Sequence, residues 1–249
     1  MKSVLAILRA KEFSPNAVDR DEAIMMAVVK QLRAQDCDVD VVNEDGPWSL
    51  TAGYDMVLTM GRRPETLSRL SAAGVRSINS SEAVARCQRS RLSKIMREEG
   101  IPMPPETGSD GFWLKRGDVA GSMSDKDVMF ASDASELKAC KEEFRQRGIE
   151  DYVVCAHVKG YEVKFYGVLH ADFFRSFSLS QQQSGVVPGL REAAERLAAA
   201  VGIEVYGGDC IVRQDGTFCI IDFNDWPSFS RCRDEAADAI ARQLLKNKE

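Results

Sequence analysis

Hydrophobic positions recur with two periods along the chain, and the switches between them mark its elements. Val4–Leu8 predicts a buried strand, and Asp21–Gln35 a helix with Ile24, Met25, Val28 and Leu32 on one face. Val39–Asn43 and Met56–Met60 predict two more strands, with the Gly46-Pro47 breaker after the first. Pro64–Ala73 predicts a short helix stopped by Gly74. Such βαβ alternation implies a small parallel sheet.

From Ser81 the pattern changes. Val84, Leu92, Ile95 and Met96 predict one long helix ending at Gly100, ahead of a Pro-rich connector from Pro102 to Pro105. Phe112–Lys115 reads as a strand, followed by a loop with Gly117 and Gly121, a strand near Val128–Phe130 and a helix over Ser135–Arg147. Three strand-like runs follow, Tyr152–Val158, Tyr161–Leu169 and Asp172–Phe177, then a loop over Gln181–Gly189. Gly189–Gly202 is the clearest helix, because Leu190, Ala193, Ala194, Leu197, Ala198 and Val201 form an unbroken apolar stripe.

The 249 residues are 44% hydrophobic, which excludes disordered and collagen-like classes and leaves a chain able to build a core. A net charge of -5 argues against a protein that coats nucleic acid or anionic membrane. No stretch approaches the roughly 18 apolar residues that span a bilayer. Val4–Leu8 is too short for a signal-peptide core, so a cytoplasmic location is expected. The seven cysteines form no C-x-x-C pair and sit in apolar patterns as small hydrophobes. His157 and His170, the two histidines, read as satisfied strand residues rather than catalysts.

The chemistry concentrates near the C-terminal end. Asp209–Arg213 and Thr217–Asn224 are strand-like, and Gln214-Asp215-Gly216 between them is a hairpin signal. A two-residue Asp215-Gly216 turn pairs Gln214 with Thr217 and, counting back, sets Asp209 opposite Asp222. Asn224 lies on the Asp222 face about 7 Å further along. Opposed carboxylates destabilise a sheet unless a proton or cation compensates them. Hard oxygen donors of this kind suit Mg²⁺, which fills its remaining positions with water and substrate phosphates.

The run from Asp209 to Phe229, D-C-I-V-R-Q-D-G-T-F-C-I-I-D-F-N-D-W-P-S-F, resembles the metal-binding end of ATP-grasp enzymes. Upstream, G-I-P-M-P at Gly100–Pro104, the strand with Lys115 and G-Y-E-V-K-F-Y-G-V at Gly160–Val168 come in that family's order. The resemblance, to the glutathione synthetase-like branch, covers roughly residues 80 to 236. It implies an α/β chain with an N-terminal βαβ pre-ATP-grasp domain over 1–80. Two α+β grasp subdomains would follow over 81–156 and 157–249, the second with the metal site.

The same resemblance implies ATP and Mg²⁺ as cofactors. Lys115 would sit on the nucleotide phosphates, the backbone of Cys155, Ala156, His157 and Val158 would hold the adenine, and Lys164 would lie near the transferred phosphate. Asp209, Asp222 and Asn224 would carry one or two Mg²⁺. Arg89 stands where many relatives place a nucleotide-binding Lys, Ala156 where they often have an acid, and Asp118 in a loop that phosphates approach. Lys164 and Arg175 are the candidate catalytic cations, with a surface ion pair to Glu162 and cation-π packing among Phe173, Phe174 and Phe177 as the respective competing readings. Ser228, Ser230 and Arg231 after Pro227, with Arg9, Arg62 and Arg63 after the N-terminal strands, are candidates for an anionic small-molecule substrate.

Within the family, the reaction expected first is a ligase that activates a carboxylate as an acyl phosphate for attack by an amine. Asp222 in place of the commoner Glu, and the run N-D-W-P-S-F, are more like the inositol-phosphate kinases of the superfamily than its peptide ligases such as those that add glutamate to ribosomal proteins. A kinase acting on a hydroxyl, a nucleotide-binding protein without turnover and a plain α/β interaction domain therefore stay open. A homo-oligomeric state stays open as well.

Overall fold

The structure is a computed structural model that describes residues 1–14, 16–50, 53–118, 124–180, 183 and 185–246. Its N-terminal layer is a parallel sheet of β1 (Lys2–Leu8), β2 (Cys37–Asn43), β3 (Met56–Thr59) and β4 (Arg76–Ile78), in the order β2-β1-β3-β4. Helices α1 (Val18–Arg33) and α2 (Pro64–Ala73) connect the strands, and Gly74 ends α2 at φ 62°, in the left-handed region. Strand order reverses between β1 and β3, so a crevice opens at their carboxyl ends. Strand β4 was not expected: its three residues, Arg76, Ser77 and Ile78, are too few to show a period.

The predicted long helix is two, α3 (Ser81–Arg86) and α4 (Arg89–Glu98). Ser80 caps α3 by accepting the Ala83 N–H at 3.2 Å. Gln88, extended at ψ 133°, interrupts the path, and the Ser90 N–H at the start of α4 is taken by the Gly117 carbonyl at 3.2 Å. Ala83, Cys87, Leu92 and Met96 remain in one core, which explains why the apolar period runs across the break.

The middle sheet is antiparallel, with β5 (Phe112–Arg116) between β6 (Val128–Ala131) and β7 (Tyr152–Ala156). Helix α5 (Ala134–Gln146) covers it with Cys140 and Phe144 against Leu114 and Ala131, and Asp133 caps its first turn at 2.7 and 2.9 Å. Gly121 falls outside the described residues, as do Gln181, Gln182 and Ser184 of the predicted later loop.

The third sheet, order β11-β10-β8-β9, is also antiparallel: β8 (Tyr161–Val168), β9 (Phe173–Ser178), β10 (Val205–Val212) and β11 (Phe218–Asp225). Helix α6 (Leu190–Val201) buries its apolar stripe against Val163, Phe165 and Tyr206. Helix α7 (Arg233–Leu245) shares a core with α1, β1 and the far face of this sheet. Among the described residues no helix is long and apolar enough to cross a membrane.

One fully buried side chain joins the first and third sheets. Asn79 donates Nδ2 to the Val205 carbonyl at 2.8 Å and accepts the Glu204 and Val205 N–H groups at 3.0 and 2.8 Å. Asn79→Ala would leave these backbone groups without partners, and we expect it to lower unfolding free energy by about 2–3 kcal/mol. Urea titration monitored by circular dichroism measures this, and an unchanged midpoint would remove Asn79 from the interface.

Candidate active site

The hairpin brings the two aspartates together by a route that counting residues missed. Arg213 donates its N–H to the Thr217 carbonyl at 2.8 Å, so the turn spans residues 214–216, and Val212 pairs with Phe218 and Cys210 with Ile220. Continued unchanged, that register would oppose Asp209 to Ile221. A β-bulge intervenes, Ile221 becomes the extra residue, and Asp209 pairs with Asp222 after all. The bulge also has a contact of its own: the Ile221 carbonyl accepts Lys115 Nζ at 2.9 Å. Gly208 beside Asp209 is required sterically, since a Cβ there would run into the Asp222 carbonyl.

Asp209 and Asp222 open into a cleft of about 540 Å³ between the N-terminal layer and the third sheet. Lys164, opposite Asp209 on the other neighbouring strand, donates Nζ to Asp209 Oδ1 at 2.6 Å. Burial works against the Lys164 ammonium, but the hydrogen bond and charge of Asp209 outweigh it and raise its pKa. Burial, reinforced by the Asp222 charge, holds Asp209 above the usual carboxylate range despite the pull of Lys164. Glu162, on the same strand as Lys164, is raised by burial and then by Asp209. Its ion pair with Lys164 does not form, because Lys164 turns to Asp209 instead.

Asn224 donates Nδ2 to Asp222 Oδ2 at 2.7 Å, which leaves its amide oxygen able to face a cation. Among the described residues no three His, Cys, Asp or Glu side chains cluster for a metal, so the donor set here is two carboxylates and one amide. Hard oxygens in that combination fit Mg²⁺.

An apolar slot of about 50 Å³ adjoins the cleft. Leu92 and Met96 of α4, Met103, Val153, Cys155 and Phe223 line it, and Lys115, Arg89 and Asp222 stand at its polar end. Arg89 and Asp222 border the cleft as well, so the two spaces are neighbours. At the end of β7 and just past it, the Ala156 N–H donates to the Pro105 carbonyl at 2.7 Å and the His157 N–H to the Gly111 carbonyl at 2.8 Å. Those two amides are therefore committed inward. His157 accepts Trp113 Nε1 at 3.2 Å and packs edge-on to Phe130, so it is satisfied, but it lies just past β7, and His170 stands in the turn after β8 at φ 65°, so neither is the strand residue expected. Asp118 is bound by Arg116 at 2.6 Å, and that hydrogen bond holds its carboxyl below the ordinary range.

Arg9 and Arg62 occupy the inner wall of the cleft, but as parts of a buried ion network. Arg9 pairs with Asp21 at 3.1 Å and donates to the Asp225 and Trp226 carbonyls at 3.4 and 3.2 Å. Arg62 pairs with Asp225, whose side chain is 0% exposed. Buried Glu44 accepts the backbone N–H groups of Arg62 and Arg63 at 2.7 Å each. Sequence reading singled out neither Asp21, Glu44 nor Asp225. Only the place of Asp225 directly after Asn224 offered a signal.

Arg175 is corrected: it does not enter the cleft. It lies on β9, with its guanidinium on Glu235 at 3.0 Å and 5.1 Å from the centre of the Phe173 ring. Alternation puts Arg175 on the same face as Phe173 and its cross-strand partner Tyr166, but β9 is the sheet edge, so the side chain lies at the rim against α7 rather than in the cleft. Arg63 likewise turns away, to Glu12 at 3.0 Å. Ser228, Ser230 and Arg231 do border the cleft, as does Arg20, which the sequence did not suggest.

Solved structures align with the whole of this arrangement. A RimK domain ATP-grasp protein from Sphaerobacter thermophilus superposes with a TM-score of 0.69 at 17% identity, covering 99% of this chain and 100% of its own. The fold is that of the ATP-grasp proteins. The D-alanine–D-alanine ligase from Bacillus anthracis, complexed with ATP, matches at TM-score 0.69 and 15% identity over 98% of this chain and 94% of its own. D-alanyl-alanine synthetase A from Vibrio cholerae matches at TM-score 0.72 and 12% identity over 98% of each chain. No protein-family model and no curated protein sequence matches the chain. At these identities the ATP-grasp likeness concerns architecture, so the chemistry rests on the side chains described above.

Proposed function

We propose that this ATP-grasp chain binds Mg-ATP, its base in the apolar slot and its phosphates toward Lys115, Arg89 and Lys164, and acts as a carboxylate–amine ligase. The observation that carries the reading is the register of Asp209 with both Asp222 and Lys164 at the junction of slot and cleft. Asp209, Asp222 and Asn224 are the residues that would hold Mg²⁺, which when bound neutralises phosphate charge. Lys164 and Arg89 would add positive charge beside the transferred group, and the apolar slot would keep water from the base.

The γ-phosphoryl group passes from ATP to a carboxylate oxygen of the substrate, giving ADP and an acyl phosphate. An amine then attacks the acyl carbon, and phosphate leaves as the amide forms. The likeness to the architectures of D-alanine–D-alanine ligases supports this choice of acceptor. Asp222 and the Trp226-Pro227-Ser228-Phe229 run favour a second reading, transfer to a hydroxyl to give a stable phosphate ester.

Thermal shift with Mg-ATP and a nonhydrolysable analogue tests the nucleotide step, because a ligand bound only by the native state raises apparent stability. Asp222→Asn is expected to remain folded and to lose the Mg²⁺-dependent part of the shift. An undiminished shift would take Asp222 out of the site. Incubation with pooled metabolites then separates the reactions: amide plus free phosphate marks the ligase, a phosphorylated product the kinase. Binding with no ADP release marks a protein without turnover.

A further inference from the structure

The cleft extends past the aspartates to a mouth where the charges are not balanced. Deeper in, Arg9 is answered by Asp21, Arg62 by Asp225 and Lys164 by Asp209. At the mouth stand Arg20 of α1 and Arg231 of the loop after β11, and neither has a carboxylate partner among the described residues. Each is nevertheless steered. Arg20 donates Nη2 to the Asn16 carbonyl at 2.9 Å, and Arg231 donates Nη1 to the Ser178 carbonyl at 3.2 Å with its guanidinium 5.6 Å from the centre of the Phe177 ring. Main-chain carbonyls orient these cations without cancelling their charge.

The surroundings offer further donors. Ser228, Ser230 and the Tyr166 ring border the same space. On the inner wall, Arg62 Nε is buried with no hydrogen-bond partner while its guanidinium is held by Asp225. Donors thus converge on this part of the cleft from the N-terminal layer and from the third sheet.

We infer that the mouth holds an anionic group of the acceptor substrate, a carboxylate or a phosphate, gripped between Arg20 and Arg231 while the reacting oxygen lies deeper, toward Lys164. The inference rests on the nucleotide reading above and adds to it the chemical class of the second substrate and two residues that select it. A neutral acceptor would leave both guanidinium groups unanswered.

The test uses the full chain saturated with Mg²⁺ and the nonhydrolysable ATP analogue, so that the phosphate positions of the nucleotide are filled. Inorganic phosphate and succinate are added in separate arms against potassium chloride of equal ionic strength, and melting temperature is followed. At least one dianion is expected to raise it beyond the nucleotide plateau. The double variant Arg20→Gln/Arg231→Gln is expected to keep the nucleotide shift and to bind that dianion about 100-fold more weakly, roughly tenfold for each charged hydrogen-bonding group removed.

A response to succinate alone assigns a carboxylate, and one to phosphate alone a phosphoryl group. Equal responses of wild type and variant, or no increment from either anion above an intact nucleotide shift, would overturn the assignment and leave the nucleotide reading standing. Loss of the nucleotide shift in the wild type would overturn both.

Discussion

Asp225→Ala is expected to lower the unfolding free energy by about 3–5 kcal/mol, because it strands two buried guanidinium groups. Arg62 and Arg9 both reach this carboxylate, and their side chains, like that of Asp21, are only 7% exposed. Removing one partner of a buried charge set costs far more than the set contributes relative to apolar residues. A loss of that size is a large share of the 5–15 kcal/mol typical of a domain. Urea unfolding measures it. A second consequence follows from position: Arg9 also holds the Asp225 and Trp226 carbonyls, where the chain leaves β11 for the loop with Ser228 and Arg231. Binding of the acceptor's anionic group at the mouth should therefore weaken together with stability. A variant within about 0.5 kcal/mol of wild type would show that the network is not a structural tie.

Lys164→Met is expected to reduce basal ATP hydrolysis by about 10²- to 10³-fold, the scale set by loss of one preorganised charge stabiliser. It should also change the pH profile in a direction fixed by the structure. In the wild type, burial and the Asp222 charge push the Asp209 carboxyl up, and Lys164 is the foremost influence pulling it down. Without Lys164 the carboxyl rises further and stays protonated to higher pH. Cation binding needs the ionised form. The acid limb of Mg²⁺-dependent nucleotide binding should thus move to higher pH, and an unmoved limb would show that Asp209 does not control it.

Much of the architecture was legible because its periods are clean. Helix α2 was predicted over the same residues, Pro64–Ala73, and α6 followed from a stripe that the core buries completely at Leu190, Ala194, Leu197, Ala198 and Val201. Where reading failed, the cause was tertiary. Nothing local reveals that Gln88 breaks the helix so that Ser90 can reach Gly117, since the apolar positions carry on across the gap. The pairing of Asp209 with Asp222 was reached from a turn one residue too short, and a bulge at Ile221 cancelled the error. Two-fold periodicity cannot show a bulge.

The candidate site was legible where residues follow one another on a strand, as Asp222 and Asn224 do. It was illegible where distant segments meet. Arg9, Asp21, Glu44, Arg62 and Asp225 come from five separate stretches of sequence; the three acids each read alone as ordinary surface charges, and Arg9 and Arg62 as substrate cations rather than as partners of those acids. Arg175 misled because a cation among phenylalanines signals a special environment without saying that its strand is the sheet edge, where Glu235 takes the side chain.

The packing of the layers says how such a molecule can open. The N-terminal sheet and α7 pack in one continuous apolar core with the third sheet, whereas Leu114, Ala131, Cys140 and Phe144 form a separate small one. Beside the packing of α4 on β7, the β5–β7 lobe is joined to the rest by hydrogen bonds of Lys115 to the Ile221 carbonyl, Arg89 to the Arg116 carbonyl and the Ser90 N–H to the Gly117 carbonyl. Such contacts exchange with water at little cost, while parting a shared core does not. On the proposed reading, admission of a nucleotide to the slot would be the swing of a single jaw, β5–β7 with α5, against a fixed body. Protection of its amides from hydrogen exchange should rise on Mg-ATP binding while that of β1 and α7 stays constant.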